Sequence, residues 1–456
     1  MNIRTLIVAL GIGSLVTFQS CREDFDFDPI SSDLRFNTDT VSVDTVYNFS
    51  KSETYVLKIY NPDDKDFVIP KISLAKGNTS YFNINVDGQA GSTFTNVPIR
   101  KNDSLFVFVE IDAKEAPLNP YYDDEIIVET TRNQQIVKLT SWIEKATIHA
   151  SNATLANATW DGSEAQVIDG NLTITNQLTV NQGAKVYFKR GASLTIAENA
   201  RLNVNGSLGN EVKFRSSRHD SKYDSIPNQW NKIELKPNSI SNINYAKIIG
   251  ADTGLFVNSG NLTISNSYIV NHQSYGILAD NATINGYNLI VNNSNLAALA
   301  IENGGNYSFY HSTFANFFSM IGTAGPAYSL YLSNYNEDGV QHLNQANFAN
   351  CIFYNQRTSN AIVLDQKDGA TFNYAFDTNL FKNSNTTTLN VLTATGFSNS
   401  IVGDPLFVNP NYMANKLSVG DNSPALNAGK LNIAQQYPLD YYGKPRGNNP
   451  TIGAIQ

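Results

Sequence analysis

The densest group of reactive side chains lies in HDSKYDSIPNQW, His219 to Trp230, where Asp220, Lys222, Tyr223 and Asp224 are close neighbours. Acids, a base and a phenol at this spacing could serve proton transfer. The same residues, in a loop that ends on Trp230, are explained more simply by a loop that pins itself to the body of the protein. Other candidates stand apart. His272 follows Asn271 and reads as a polar turn position, and His311 precedes Ser312 and reads as outward. Asp252, Asp280, Glu302, Asp365 and Asp377 fall at different offsets and form no evident column. A glycoside hydrolase needs two carboxylates across one groove. A uronate lyase needs Arg or Lys, often with Ca²⁺ held by clustered acids, yet between Arg218 and Arg446 the chain has a single arginine, Arg357. No spaced acidic loop of the EF-hand kind is present. The expectation is therefore no catalytic residue, no cofactor and no metal ligand.

The chain has 456 residues, a net charge of −8 and only 16% charged residues, with 23 Tyr and 24 Phe. That composition supplies a large core and lacks the basic face that nucleic acid would require. At the N-terminus, Arg4 precedes the apolar stretch Leu6 to Phe18, whose 13 residues suit a signal-peptide core and are short for a membrane span. Gln19-Ser20-Cys21 follows and resembles a bacterial lipobox, which implies cleavage before Cys21 and lipidation there. Residues 1–20 are thus expected to be a lipoprotein signal peptide, and 21–32 an acidic tether. Arg22-Glu23-Asp24-Phe25-Asp26 resembles the acidic export tags of Bacteroidetes surface lipoproteins. Cys351, far away inside a repeat, reads as a small buried residue, and no disulfide is expected.

From 33 to 146 short alternating runs such as YVLKIY, YFNINV and LFVFVEI are separated by NPDD, DG and ND. Strands of period two at this spacing predict a β-sandwich, and the segment resembles the Ig-like domains of Bacteroidetes surface lipoproteins.

Beyond it a five-residue motif recurs: AKIIG at 246, SYIVN at 267, NLIVN at 288, STFAN at 312, CIFYN at 351 and NLFKN at 379. Its third position is Ile or Phe and its fifth is usually Asn. A period of 20 to 30 residues built from strands and turns predicts a solenoid, with the third position inward and the Asn amides bonding between rungs at a bend. Earlier units (NLTI, LTV, KVYF, SLTI, RLNV, VKF) extend the pattern back, and the wide gap after Met320 implies an excursion over roughly 321–345.

With GA.V.F and YDSIPNQWNKIEL, residues 165–400 resemble the right-handed parallel β-helix repeat lipoproteins of Bacteroidetes. The segment 401–456, with DPLF, SPALNAG, GKPR and IGA, resembles the tail of choice-of-anchor β-helix proteins, with Asn427 and Gln456 where acids are common. The resemblance implies an all-β fold: an N-terminal Ig-like β-sandwich, a right-handed parallel β-helix and a C-terminal cap on the final rung. It also implies a lipid anchor in the outer membrane and cell-surface exposure. Four Asp-Ser/Thr-apolar triplets, at Asp39, Asp44, Asp103 and Asp224, resemble Bacteroidetes O-glycosylation sites. The leading expectation is a non-catalytic module that binds glycan or a membrane-associated protein complex, with no nucleic acid. The alternative is a polysaccharide lyase or glycoside hydrolase with a groove near the 219–230 and 321–345 excursions.

Overall fold

The computed structural model describes residues 27–456 apart from 31, 62, 320–324, 358–359 and 383–388. The segment 1–20, Cys21 and most of the tether at 21–32 lie outside the described residues, as does Asn383 of the last repeat. The chain divides into two compact units, with the boundary between Ile143 and Glu144. In the first unit, period-two sequence becomes period-two burial. Along Ser104–Ile111 the side chains of Leu105, Val107, Val109 and Ile111 are buried, while Phe106 and Phe108 face outward. A seven-stranded and a five-stranded sheet, mostly antiparallel, close over this core.

The second unit corrects the expected fold class of a sandwich followed by a capped right-handed β-helix. Most of its strands belong to two long parallel sheets, of eleven and fifteen strands, that face one apolar core. They do not form rungs of three separate strands. Tyr275–Tyr287 and Ala297–Tyr310 run on through the position where a bend was expected, with a register shift at Asp280/Ala282 absorbing the turn. The parallel pairing starts at Ala146, with Ala146–His149 on Ala165–Ile168, well before residue 165. The segment after 401 is not a cap on the last strands. It runs along the outside of the eleven-stranded sheet: Leu417, Tyr441 and Ala454 pack on Ile290 and Ala315, and Ala425 and Ile452 on Ile352 and Leu380.

Strand pairing also corrects one row of the repeat. Ile248 pairs with Ile269, and Phe314 with Phe353 and then Phe381, as the third-position column requires. Between them Ile269 pairs with Val291, not Ile290. A one-residue slip exchanges faces, so Val291 is in the main core while Ile290 lies under the tail. The Asn seam shifts with it. Asn293 donates to Asn271 Oδ1 at 3.1 Å, and Asn316 donates to the Ser294 carbonyl at 2.6 Å, whereas Asn292 donates to the Pro410 carbonyl of the tail.

A second column explains the abundance of Asn. Tyr245, Asn266, Asn288, His311, Asn350, Thr378 and Asn399 each precede a strand of the eleven-stranded sheet, and each has a positive φ between 44° and 57°. Asn tolerates that left-handed conformation better than most residues. The amides also bond along the column, Asn266 to Asn244 at 2.8 Å and Asn288 to Asn266 at 2.9 Å.

The core is most ordered where rings stack. Phe309, Phe348, Phe376 and Phe397 lie at successive centroid distances of 5.5, 4.8 and 4.6 Å, and Phe314, Phe353 and Phe381 at 5.5 and 5.4 Å. Phe353→Ala is expected to cost about 3–5 kcal/mol through lost contact and a cavity. Met413→Ala, at a side chain 72% exposed, should stay within about 0.5 kcal/mol. Urea denaturation of both variants checks the contrast, and equal losses would contradict the stacked core.

Candidate functional site

The two sheets of the parallel unit present different outer faces. That of the eleven-stranded sheet is apolar and covered by the tail. On the fifteen-stranded sheet, Leu255, Val257, Ile277, Ala279, Leu299 and Ile301 are fully buried, so the alternate residues point outward. Pairing aligns these into columns. Glu234, Phe256, Leu278, Ala300, Tyr331 and Val363 succeed one another. Beside them Asn258 pairs with Asp280, and Asp280 with Glu302.

Asp280 and Glu302 thus stand directly opposite on neighbouring parallel strands, with their Cα atoms one strand spacing apart, roughly 4.8 Å. Their environments differ. Asp280 accepts from Asn303 Nδ2 at 3.0 Å on Oδ1 and from Asn336 Nδ2 at 3.2 Å on Oδ2. Glu302 is half-buried, and burial first and the Asp280 charge second raise its pKa above the usual carboxylate value. Its carboxyl has no hydrogen-bond partner among the described residues. Tyr275 is close by, its phenol pushed up to about 12 by burial and then by Glu302 and Asp252.

A small hairpin, Tyr335–Asn336 with Gly339–Val340, packs against Ala297–Tyr310. Its Asn336 holds Asp280, and its Tyr335 hydroxyl donates to Asp365 Oδ2 at 2.6 Å, where Tyr331 also donates at 2.9 Å. Lys367 Nζ sits 3.8 Å from the centre of the Tyr335 ring. Three acids, three tyrosines and two amides therefore share one open face. The two paired carboxylates are of the kind that perform acid–base or nucleophilic chemistry.

The residues first singled out in the sequence lie elsewhere. In the 219–230 loop, Trp230 is fully buried, stacks on Phe188 at 4.0 Å and donates to the Ile249 carbonyl at 2.8 Å. Asp224 pairs with Arg215 at 2.8 Å and Lys222 with Asp220 at 2.9 Å, while Arg218 covers the Tyr223 ring at 4.1 Å. Those charges are engaged in fastening the loop. His272 and His311 are both completely buried. His272 pairs with Ser294, not Asn293 as the repeat alignment had it. His311 lies in the left-handed column, not on the exterior. Among the described residues, no three His, Cys, Asp or Glu side chains are grouped to hold a metal ion.

What the sequence reading missed is the Asp280–Glu302 column. The signal was present: their separation of 22 residues equals the local repeat, as between Asn266 and Asn288 in the left-handed column. The acids were compared over too many repeats at once. Asp252 and Asp377 belong to other columns, and Asp365 lies beyond an insertion.

No family model matches the chain, and no curated protein matches it. Similar solved structures include a family 123 glycoside hydrolase from Clostridium perfringens, 9% identical over 26% of this chain and 26% of that one, with a TM-score of 0.19. A protein of unknown function from Porphyromonas gingivalis W83 is 10% identical over 28% of this chain and 58% of that one, with a TM-score of 0.19. The complex of XylC with xylose is 10% identical over 94% of this chain and 90% of that one, with a TM-score of 0.36. The chain thus spans about a quarter of the first of these proteins and little more than half of the second. At these TM-scores the likenesses define neither a fold nor an activity. The class established is coarse: an all-β protein whose larger unit is made of extended parallel sheets.

Two titration outcomes follow. Asp280→Asn removes the second cause of the raised Glu302 pKa and leaves the first, so that pKa should fall but stay above the ordinary glutamate value, as ¹³C-carboxyl NMR would show. Burial also depresses His272 to about 3 and His311 to about 2. A folded pKa below the unfolded one of about 6.5 means that the stabilisation is present above that pH and is lost as pH falls through it. Each histidine contributes about 1.4 kcal/mol of loss per pH unit below 6.5. Denaturant unfolding at pH 7, 6 and 5 should show the decline, and His272→Asn should make it shallower.

Proposed function

We propose that the protein binds polysaccharide on the open face of the fifteen-stranded sheet and hydrolyses its glycosidic bonds there. The observation that carries this reading is the in-register Asp280–Glu302 pair, one carboxylate held by two amides and the other half-buried with a raised pKa. Environments that separate two carboxyl groups in this way divide the roles of acid and base. Glu302, whose raised pKa favours the protonated form, donates a proton to the leaving-group oxygen. Asp280, fixed by Asn303 and Asn336, attacks the anomeric carbon. Water then releases the glycosyl group, with Glu302 as the base. Tyr275 and Tyr331 supply ring faces against which a sugar can stack.

A second reading, binding without cleavage, is favoured by the amides that occupy both Asp280 oxygens. Lipidation at Cys21, an outer-membrane anchor and display at the cell surface are part of the proposal and rest on the N-terminal sequence alone. The open face suits a glycan partner, with or without a membrane-associated complex.

Purified protein should be passed over a glycan panel while both retention and new reducing ends are measured. Cleavage is expected, with Glu302→Gln and Asp280→Asn each lowering its rate by about 10²–10⁴. The rate should fall as pH rises through the raised Glu302 pKa, because the acid must be protonated to donate. Retention without new reducing ends would leave the binding reading and remove the hydrolytic one. Neither retention nor cleavage would remove both.

A further inference from the structure

The tail that covers the eleven-stranded sheet buries one cation whose nearest acid is turned away from it. Arg446 is 2% exposed. Its Nη2 donates to Asn288 Oδ1 at 2.7 Å and, at a long 3.4 Å, to the Ala454 carbonyl. Nε and Nη1 are buried and have no partner. The acid that acts on it from farther off, Asp440, is engaged elsewhere: Oδ1 accepts from the Tyr442 and Lys444 amides and Oδ2 from the Gln456 amide. Cys351, the other group that senses Arg446, is a fully buried thiol pushed up to about 12 by burial and is therefore no counter-anion.

His311 borders the same place and is fully buried. Its tautomer follows from its neighbour. Asn350 Oδ1 accepts from the Lys430 amide at 2.8 Å, so the amide nitrogen of Asn350 faces His311 Nε2 at 2.9 Å. A nitrogen that receives a hydrogen bond is the unprotonated one. The proton is then on Nδ1, which lies near the Gly453 and Thr451 carbonyls but has no hydrogen bond of good geometry.

Buried N–H groups from a guanidinium and an imidazole therefore lack an acceptor of good geometry, and the guanidinium makes no direct contact with the Asp440 carboxylate. Buried charge without a partner is strongly unfavourable, and buried donors are almost always satisfied. Water would satisfy the donors and leave the guanidinium with no anion in contact. A small anion does both. We infer that a single small monovalent inorganic anion, of the chloride kind, is held between Arg446 and His311 and fastens the tail to the sheet. Burial on all sides excludes an extended ligand, and a neutral histidine beside one arginine matches one negative charge. This inference is independent of the hydrolytic reading.

Bromide is the probe. Full-length protein crystallised without halide and soaked in sodium bromide should show a bromine anomalous peak within hydrogen-bonding distance of Arg446 Nε or Nη1. In solution, the unfolding midpoint should rise with each tenfold increase in chloride or bromide at constant ionic strength set with gluconate. Arg446→Gln should abolish that rise. His311→Asn, which retains the cation, should reduce it and serves where the arginine variant does not fold. Ordered water in the wild-type map with no anomalous peak, or a midpoint indifferent to halide, would overturn the inference.

Discussion

The structure of the larger unit depends on the register of its parallel backbone ladders. Each strand hydrogen-bonds the next at a spacing of roughly 4.8 Å, so a residue at one position lies directly against its counterpart one repeat later. Columns of apolar, aromatic or amide side chains gain from this, because each makes the same favourable contact above and below. The Phe309–Phe348–Phe376–Phe397 stack and the Asn266–Asn288 amide bond are the two clearest cases. A column of like charges loses by the same geometry. Asp280 against Glu302 is thus a local conflict with the rule that builds the rest of the sheet. It is tolerated because two amides serve one member while the other is half-buried with a raised pKa. Departures of this kind are where function is sought.

The same ladders explain why the two outer faces differ. On the eleven-stranded sheet the outward residues include Tyr268, Ile290, Ala315, Ile352 and Leu380, which are apolar and must be covered. Parallel sheets are generally buried on both faces, and the tail completes that burial from the side. The segment therefore lies along the sheet, where the uncovered apolar area is, and not on the last strands. On the fifteen-stranded sheet the outward columns carry Glu234, Asp280, Glu302, Tyr331 and Asp365, so this face can remain open to solvent and ligand.

Much of this order was legible in the chain. The recurrence of Ile or Phe at the third motif position marked the core-facing column in five of six rows. The sixth failed because the letters I-V-N matched at 269–271 and 290–292, while the local repeat had lengthened by one residue and moved Ile290 to the other face. Of the Asn residues, those at the fifth motif position mark only one seam. A larger share belongs to left-handed positions before strands, which no pattern of hydrophobicity reveals. His311 occupies one of these and is buried only because the tail arrives from more than a hundred residues away. Contacts such as Arg446 with Asn288 or Asn415 with Asn292 join residues too distant in sequence for periodicity to predict.

The candidate site lies where the ladder itself is least regular. The register of Tyr275–Tyr287 against Ala297–Tyr310 shifts just after the acids, between Asp280 and Ala282. Asn281 and Asn303 adopt positive φ there, followed by Gly304 and Gly305 at φ 75° and 109°. A Cβ on Gly304 would meet the His342 carbonyl oxygen at 2.5 Å, and one on Gly305 the Ala282 carbonyl oxygen at 2.4 Å, so neither position admits a larger residue. Irregularities of this sort re-aim side chains beside active sites. Here the left-handed turn at Asn303 brings its amide back to Asp280, while the later segment that packs against Gly304 at His342 supplies the hairpin residue Asn336. The strand irregularity and the hairpin thus converge on one carboxylate. A solvated pair of surface acids would require neither, and that convergence is the physical reason to single out Asp280 and Glu302 as the candidate site.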